Sequence, residues 1–436
     1  MSLSRFPHRF GAVAASVVVG SVFLAGCSGS PASSDEPTLS DDPVTISVTF
    51  WGGDARVQST QEAIDAFEKE HPTITVEPQF TDWNGYWDQL ATSTAAGDMP
   101  DVVQMDELYL ASYGARGALY DLGGLDIDTS EFDESALGTG QVGGTQYALP
   151  IGVGVYSIVA NADLFAQYGV ELPDDDTWTW DDFAEIADEL TEKSGGAIHG
   201  TGQIGGFDAG SVKYWARSDG GELFGEDDEV TLDADSLAKM WQFELDLQES
   251  GGMESASAIT ESQTAGISGG SLATNKVALG VAYNTQITAL SQASGQELVL
   301  LKVPQPEGVD PNFYKPSMYW SISGKSEHPA EAALFVDFLL NSETAGEIIK
   351  TERGVPANNA VRAAISGSLS ATDQAAIEYQ DRVTPGDAPV VTPNGASSIE
   401  TILQRYTQEV FAGTSSPEDA AEAFIAELQS EIDAAN

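Results

Sequence analysis

Cysteine is almost missing from this chain: Cys27 is the single one among 436 residues. That excludes an intramolecular disulfide and any multi-cysteine zinc site. Histidine is scarce as well, and His8, His71, His199 and His328 are too scattered for a local metal-ligand motif. Lysine and arginine together number 18 against 68 acidic residues, a formal net charge of −50. So few basic groups argue against a phosphate-binding surface for nucleic acid, which draws on clustered Lys and Arg. They also argue against docking on an anionic membrane through a basic patch. The acidic surplus reads as a solvated surface that resists aggregation, since net charge bears on solubility rather than fold. What is present is a 42% share of hydrophobic residues, enough for a large core. At roughly 100–200 residues per domain, the length predicts two or three domains.

The first residues carry an address. Arg5 and Arg9 precede an apolar run from Gly11 to Phe23, with no acidic residue before Asp35. This is the pattern of a signal peptide, and the run is short for a membrane span. It ends in Leu24-Ala25-Gly26-Cys27, which resembles a bacterial lipobox whose cysteine is lipidated after cleavage just before it. The expectation is a signal peptide over 1–26 and lipidation at Cys27 on the extracellular face of the cell membrane. Residues 27–43, rich in Ser, Pro and Asp, form a flexible tether.

Beyond the tether the pattern alternates strand and helix. Val44 to Phe50 is β-branched and alternating, and it breaks at Trp51-Gly52-Gly53. A helix over Gln58–Glu70 stops at His71-Pro72, a strand carries Ile74 and Val76, and a helix over Trp83–Ala96 is capped by Gly97. Asp101 to Met105 is a short buried strand. This repetition implies parallel βαβ units. A second block opens with the apolar stretch Tyr147 to Val159, where Pro150, Gly152 and Gly154 mark a bend and a hinge. Ala330 to Leu340 is a strong helix, and Phe424, Leu428 and Ile432 line one face of a last one.

The order of segments resembles the sugar-carrying group of extracellular solute-binding proteins of ABC importers. The resemblance rests on Phe50-Trp51-Gly52, on Phe67 through Val76, and on Ala95 through Val102. Tyr147-Ala148-Leu149-Pro150, Asn161 to Phe165, Trp178-Thr179-Trp180 and Pro304 to Gly308 continue it. It implies an α/β, two-lobe periplasmic-binding-protein-like fold with a ligand cleft between hinge-linked lobes. Lobe 1 is expected at 44–152, continued at about 314–355, and lobe 2 at 153–313, continued at about 356–436. Crossings are expected near Pro150–Tyr156, Asn312–Pro316 and Arg353–Asn359. The implied partners are a carbohydrate ligand and the permease subunits of an importer, with a monomeric protein, no cofactor, no metal and no enzymatic activity.

Sugar rings offer a face of C–H groups and an edge of hydroxyls, which aromatic rings and polar side chains match. In open parallel sheets, ligands bind beyond the carboxyl ends of strands. Trp51, Asp82 with Trp83, and Asp106 hold such places after three successive strands. Tyr156 lies in the expected hinge strand, Tyr283 and Asn284 end a strand of the second lobe, and Trp320 and Arg353 precede expected returns across the hinge. Trp215 completes the substrate-binding set, as an aromatic that the family often presents to the cleft. Trp178, Trp180 and Trp241 are assigned to packing, and Trp87 fits either role.

Catalytic strings are weak. Gly266-Ile267-Ser268-Gly269-Gly270 has the nucleophile-elbow spacing but no strand immediately before it. Gly324-Lys325-Ser326 lacks the first glycine of a phosphate loop. A secreted glycoside hydrolase, and a binding protein for a polyamine, an iron complex or a peptide, stay open as alternatives.

Overall fold

The computed structural model describes residues 37–436 apart from Glu226, Glu307 and Asn436. Cys27 and the expected signal peptide lie outside the described residues, as does most of the expected tether. Twelve strands follow in chain order: β1 (Val44–Trp51), β2 (Ile74–Thr81), β3 (Val102–Met105), β4 (Gln141–Val142), β5 (Thr145–Gln146) and β6 (Leu149–Gly154). Then come β7 (Tyr156–Asn161), β8 (His199–Thr201), β9 (Val277–Tyr283), β10 (Leu298–Leu301), β11 (Lys315–Ile322) and β12 (Val355–Pro356). They form a six-stranded sheet in the order β12-β6-β11-β3-β1-β2, a four-stranded sheet β10-β7-β9-β8, and the hairpin β4-β5.

The alternation read in β1 is realised in two faces. Val44, Ile46, Val48 and Phe50 point into the core, while Thr45, Ser47, Thr49 and Trp51 share the other face. β1 runs parallel to β2 and β3, so the carboxyl ends of all three lie at one edge. β11 enters between β3 and β6, antiparallel to both. Phe67 packs edge-on against Phe335 and Phe338 beneath this sheet. Helix Pro329–Asn341 matches the expected Ala330–Leu340, and helix Asp54–Glu70 starts four residues earlier than expected, directly after Gly52-Gly53.

A second core sits around the four-stranded sheet, with Phe165 and Phe183 fully buried. A third joins helices Ala234–Ser250, Ile399–Phe411 and Pro417–Ala435, where Trp241, Phe424, Leu428 and Ile432 are buried.

The chain passes between the sheets at Val155. Its N–H donates to Asn284 Oδ1 at 2.9 Å and its carbonyl accepts from the Asn284 N–H at 3.0 Å. A second passage connects β10 to β11. A third lies beyond Ile365, later than the 353–359 stretch expected. Helix Asn359–Ile365 still packs against β12, because Asn358 donates to Asn341 Oδ1 at 2.7 Å and so stays on the six-stranded side. Helix Ala371–Arg382 then packs against Ile287–Ser294 of the other side. Pro150 and Gly152 are not at a bend: both lie within β6, flanked by β11 and β12. Gly152 answers to proximity, since a Cβ there would meet the Arg353 carbonyl at 2.4 Å. Gly154 abuts the Asn284 carboxamide next to the passage itself.

Among the described residues no helix is long and apolar enough to cross a membrane.

Candidate functional site

The carboxyl ends of β1, β2 and β3 carry a wall of aromatic rings. Trp51, last in β1, is covered edge-on by Trp83 at 5.0 Å and by Tyr86 at 5.1 Å. Trp87 follows Trp83 by one helical turn and stacks on Tyr109 at 3.8 Å. Trp51 is thus nearly buried, and Trp83, 37% exposed, presents the open ring. Two carboxylates expected to contact ligand serve first as helix caps. Asp82 accepts from the Gly85 N–H at 3.1 Å and Asp106 from the Leu108 N–H at 3.0 Å, each beginning a helix. Asp82 is exposed and Asp106 buried, and burial pushes the Asp106 carboxyl up.

A second wall comes from the four-stranded sheet. Tyr156 and Tyr283 are direct partners across β7 and β9, with ring centroids 4.3 Å apart. Both hydroxyls donate to Asp208, at 2.5 and 3.4 Å. Asp208 also caps helix Ala209–Ser218 through the Ser211 N–H at 2.8 Å. Burial, and then the Asp208 charge, raise both phenols well above their ordinary value.

Charge joins the two walls. Glu107 lies 3.1 Å from Lys315 Nζ and 3.5 Å from Lys213 Nζ. Burial pushes the Glu107 carboxyl up, but the two lysines override it and bring it down to about 2. Lys315, the first residue of β11, also lies 5.7 Å over the Tyr283 ring. Burial works against its charge, yet Glu107, Asp106 and Asp208 hold its proton more tightly than usual. Glu400 feels the same group: burial and then Asp208 push its carboxyl up to about 7. The floor therefore sets Asp106, Glu107, Asp208 and Glu400 against Lys213 and Lys315.

Three expected site residues, Trp320, Arg353 and Asn284, stand elsewhere. Trp320 is 1% exposed because it sits within β11, the strand inserted at mid-sheet. Arg353, 1% exposed, donates to Thr60 Oγ1 at 2.7 Å and Gln104 Oε1 at 3.3 Å between the rings of Phe50 and Trp320. Burial lowers it to about 9. Asn284 is wholly buried at the passage through Val155. Trp215 is half-buried: it stacks on Trp180 at 4.9 Å, with Phe243 beside it, and lines a small cavity together with Tyr156 of the second wall. Sequence reasoning missed Tyr109, Glu107, Asp208, Lys213, Lys315 and Glu400. The available signal was scarcity, for a lysine that chain folding buries in so acidic a protein needs a specific partner.

The profile of the bacterial extracellular solute-binding proteins matches residues 53–346, and the chain belongs to that family. An uncharacterized lipoprotein of Streptomyces antibioticus is 29% identical over 344 residues, 73% of this chain and 70% of the relative. A lactose-binding protein of Rhizobium radiobacter is 26% identical over 202 residues, 44% of this chain and 46% of the relative. Among solved structures, an extracellular solute-binding protein family 1 from Alicyclobacillus acidocaldarius superposes with a TM-score of 0.73. It is 26% identical, with 90% of this chain and 99% of that one covered. The two-lobe fold with a cleft, expected from the order of segments, is the fold of this protein.

Proposed function

We propose that the protein captures a sugar or oligosaccharide for an ABC importer, held to the extracellular face of the membrane by a lipid on Cys27. The observation that supports this is Lys315, which links the end of the first aromatic wall to the second: it lies 3.1 Å from Glu107, two residues before Tyr109, and 5.7 Å over the Tyr283 ring. Exposed Trp83 supplies a flat apolar face, and the carboxylates and lysines supply hydrogen bonds for an edge of hydroxyls. The lactose-binding relative supports a carbohydrate. Lobe 1 takes the six-stranded sheet and lobe 2 the four-stranded one, with closure pivoting near Gly154–Val155. The protein acts as a monomer, delivers its ligand to permease subunits, and turns nothing over.

A thermal-shift screen of the full chain against an oligosaccharide library tests this. A ligand at 100 times its dissociation constant adds about 2.7 kcal/mol to native stability. A binder recovered unaltered supports the reading; a hydrolysed sugar supports the glycoside hydrolase instead. The acid surplus at the floor favours one rival solute, a polyamine, and stabilisation by spermidine with no response to any sugar would replace the sugar reading.

A further inference from the structure

A cavity of about 510 Å³ lies on the six-stranded half, away from the aromatic walls. Its floor is the row Thr45, Ser47 and Thr49 of β1, with Gln79 of β2. Trp51 continues the same row, but Thr45 stands six residues, or roughly 20 Å, behind it. A sheet face beneath a helix is ordinarily apolar. Here helix Trp83–Ala96 covers the Trp51 end with Tyr86 and Trp87, and toward the hydroxyl row it presents Gln89 and Ser93 beside Leu90 to an open space.

The Thr49 side chain decides what that space is for. Thr49 is 8% exposed, and its hydroxyl has no hydrogen-bond partner among the described residues. It is also not sealed from solvent, so its unused hydrogen-bonding capacity faces the cavity. A hydroxyl so placed is free to bond water or a ligand in the cavity. Its neighbour Ser47 is by contrast engaged: it donates to Asp101 Oδ2 at 2.9 Å and accepts from the Asp101 N–H at 3.1 Å. Asp101 also accepts from Ser326 at 2.7 Å, which fixes the floor. We infer that this cavity is a second binding site, for a small uncharged polyol. The volume lies within the ordinary range for small-molecule pockets. Its floor offers hydroxyl and amide groups beside an Asp101 carboxylate already bonded to Ser47 and Ser326, Leu90 and Met99 add apolar surface, and Lys325, Glu327 and Asp98 stand exposed at the rim. No Trp, Tyr or Phe lines it, so it lacks the stacking surface of the interlobe site and suits a monosaccharide-sized ligand rather than an oligosaccharide.

The test uses saturation-transfer NMR on the full chain with myo-inositol as the probe. Transfer is expected in the unaltered protein and, undiminished, in Trp83→Ala. Thr49→Val keeps the shape and the strand propensity but removes the hydroxyl, and should weaken binding about three- to tenfold, the loss of one hydrogen bond. Exposed Gln79→Leu provides a second variant that leaves the core untouched and should also weaken it. Absence of transfer overturns the inference, as does full binding by both variants. Loss of transfer in Trp83→Ala would move the polyol to the interlobe site, and a stronger response to glycine betaine would overturn the uncharged class. None of these outcomes depends on whether an oligosaccharide binds between the walls.

Discussion

Glu107 and Lys213 lie 3.5 Å apart and come from opposite halves of the molecule. One opens the helix that follows β3; the other sits in the helix whose Tyr214 packs in the core of the four-stranded sheet. The Lys213 side chain is 3% exposed, so this contact is its counter-charge in a dry place. The pair therefore ties the halves together before any ligand arrives.

Glu107→Gln should open the ligand-free protein. The variant strands Lys213 without a partner, and breaking a buried pair costs about 3–5 kcal/mol. Separation of the halves relieves that cost by wetting the lysine. Small-angle scattering should record a larger radius of gyration in Glu107→Gln, and Lys213→Met should restore compactness in that background. Acid should act likewise. The folded-state value of Glu107, about 2, is depressed below the ordinary 4.5, so its contribution is present above pH 4.5 and lost as pH falls toward 2.

Two tryptophans should separate binding from packing. Trp83→Ala removes the exposed ring of the first wall and should weaken sugar binding by roughly tenfold with little change in melting temperature. Trp320→Ala opens a hole in the central strand and should cost about 3–5 kcal/mol of stability while leaving the affinity of the folded fraction intact. Calorimetry of both variants, by ligand titration and by heating, checks the contrast.

Alkaline pH should weaken the third core through Glu244. Its Oε1 accepts from the N–H groups of Ile204 and Gly205 at 3.0 and 2.9 Å, while Oε2 is buried without a partner. Burial outweighs those two donors and pushes the carboxyl up to about 8. The folded protein then holds a proton that the unfolded chain releases near 4.5, so stability falls as pH rises from 4.5 to 8 and levels off above. Denaturation across that range should show a flatter profile in Glu244→Gln.

Lipidation is tested at its residue. Cys27→Ala should abolish labelling by a radioactive fatty acid and release the protein from the membrane fraction. Labelling at the parental level in that variant would remove the anchor from the account.

The sequence disclosed the sites that local pattern determines. The ends of β1, β2 and β3 were legible because an alternating or apolar run followed by Trp51, Asp82 or Asp106 marks a strand terminus, and these residues do gather at one sheet edge. The burial of Trp320 is not legible locally, because nothing around it shows that β11 continues to Ile322 between two neighbours. Glu107 gave no local sign. Its importance arises from Lys213 and Lys315, which are 106 and 208 positions away in the chain and reach it only through folding. Trp215 and Trp180 stack through the same kind of long-range encounter, which the sequence around either residue does not announce.

The position of β11 constrains how the chain can be made. β6 and β3 are neighbours of β11 and not of each other, so the six-stranded sheet stays split until residue 322 has been synthesised. An emerging chain can assemble β1, β2 and β3 with their helices, but it must hold that fragment with an unpaired inner edge for more than 200 residues of further growth. Pairing over such separations is slow, and open strand edges attract other chains. Dense negative charge on the growing polypeptide offers a remedy, since mutual repulsion keeps unfinished copies apart. The same delay would keep the chain loose enough to thread through a secretion channel before its central strand locks it.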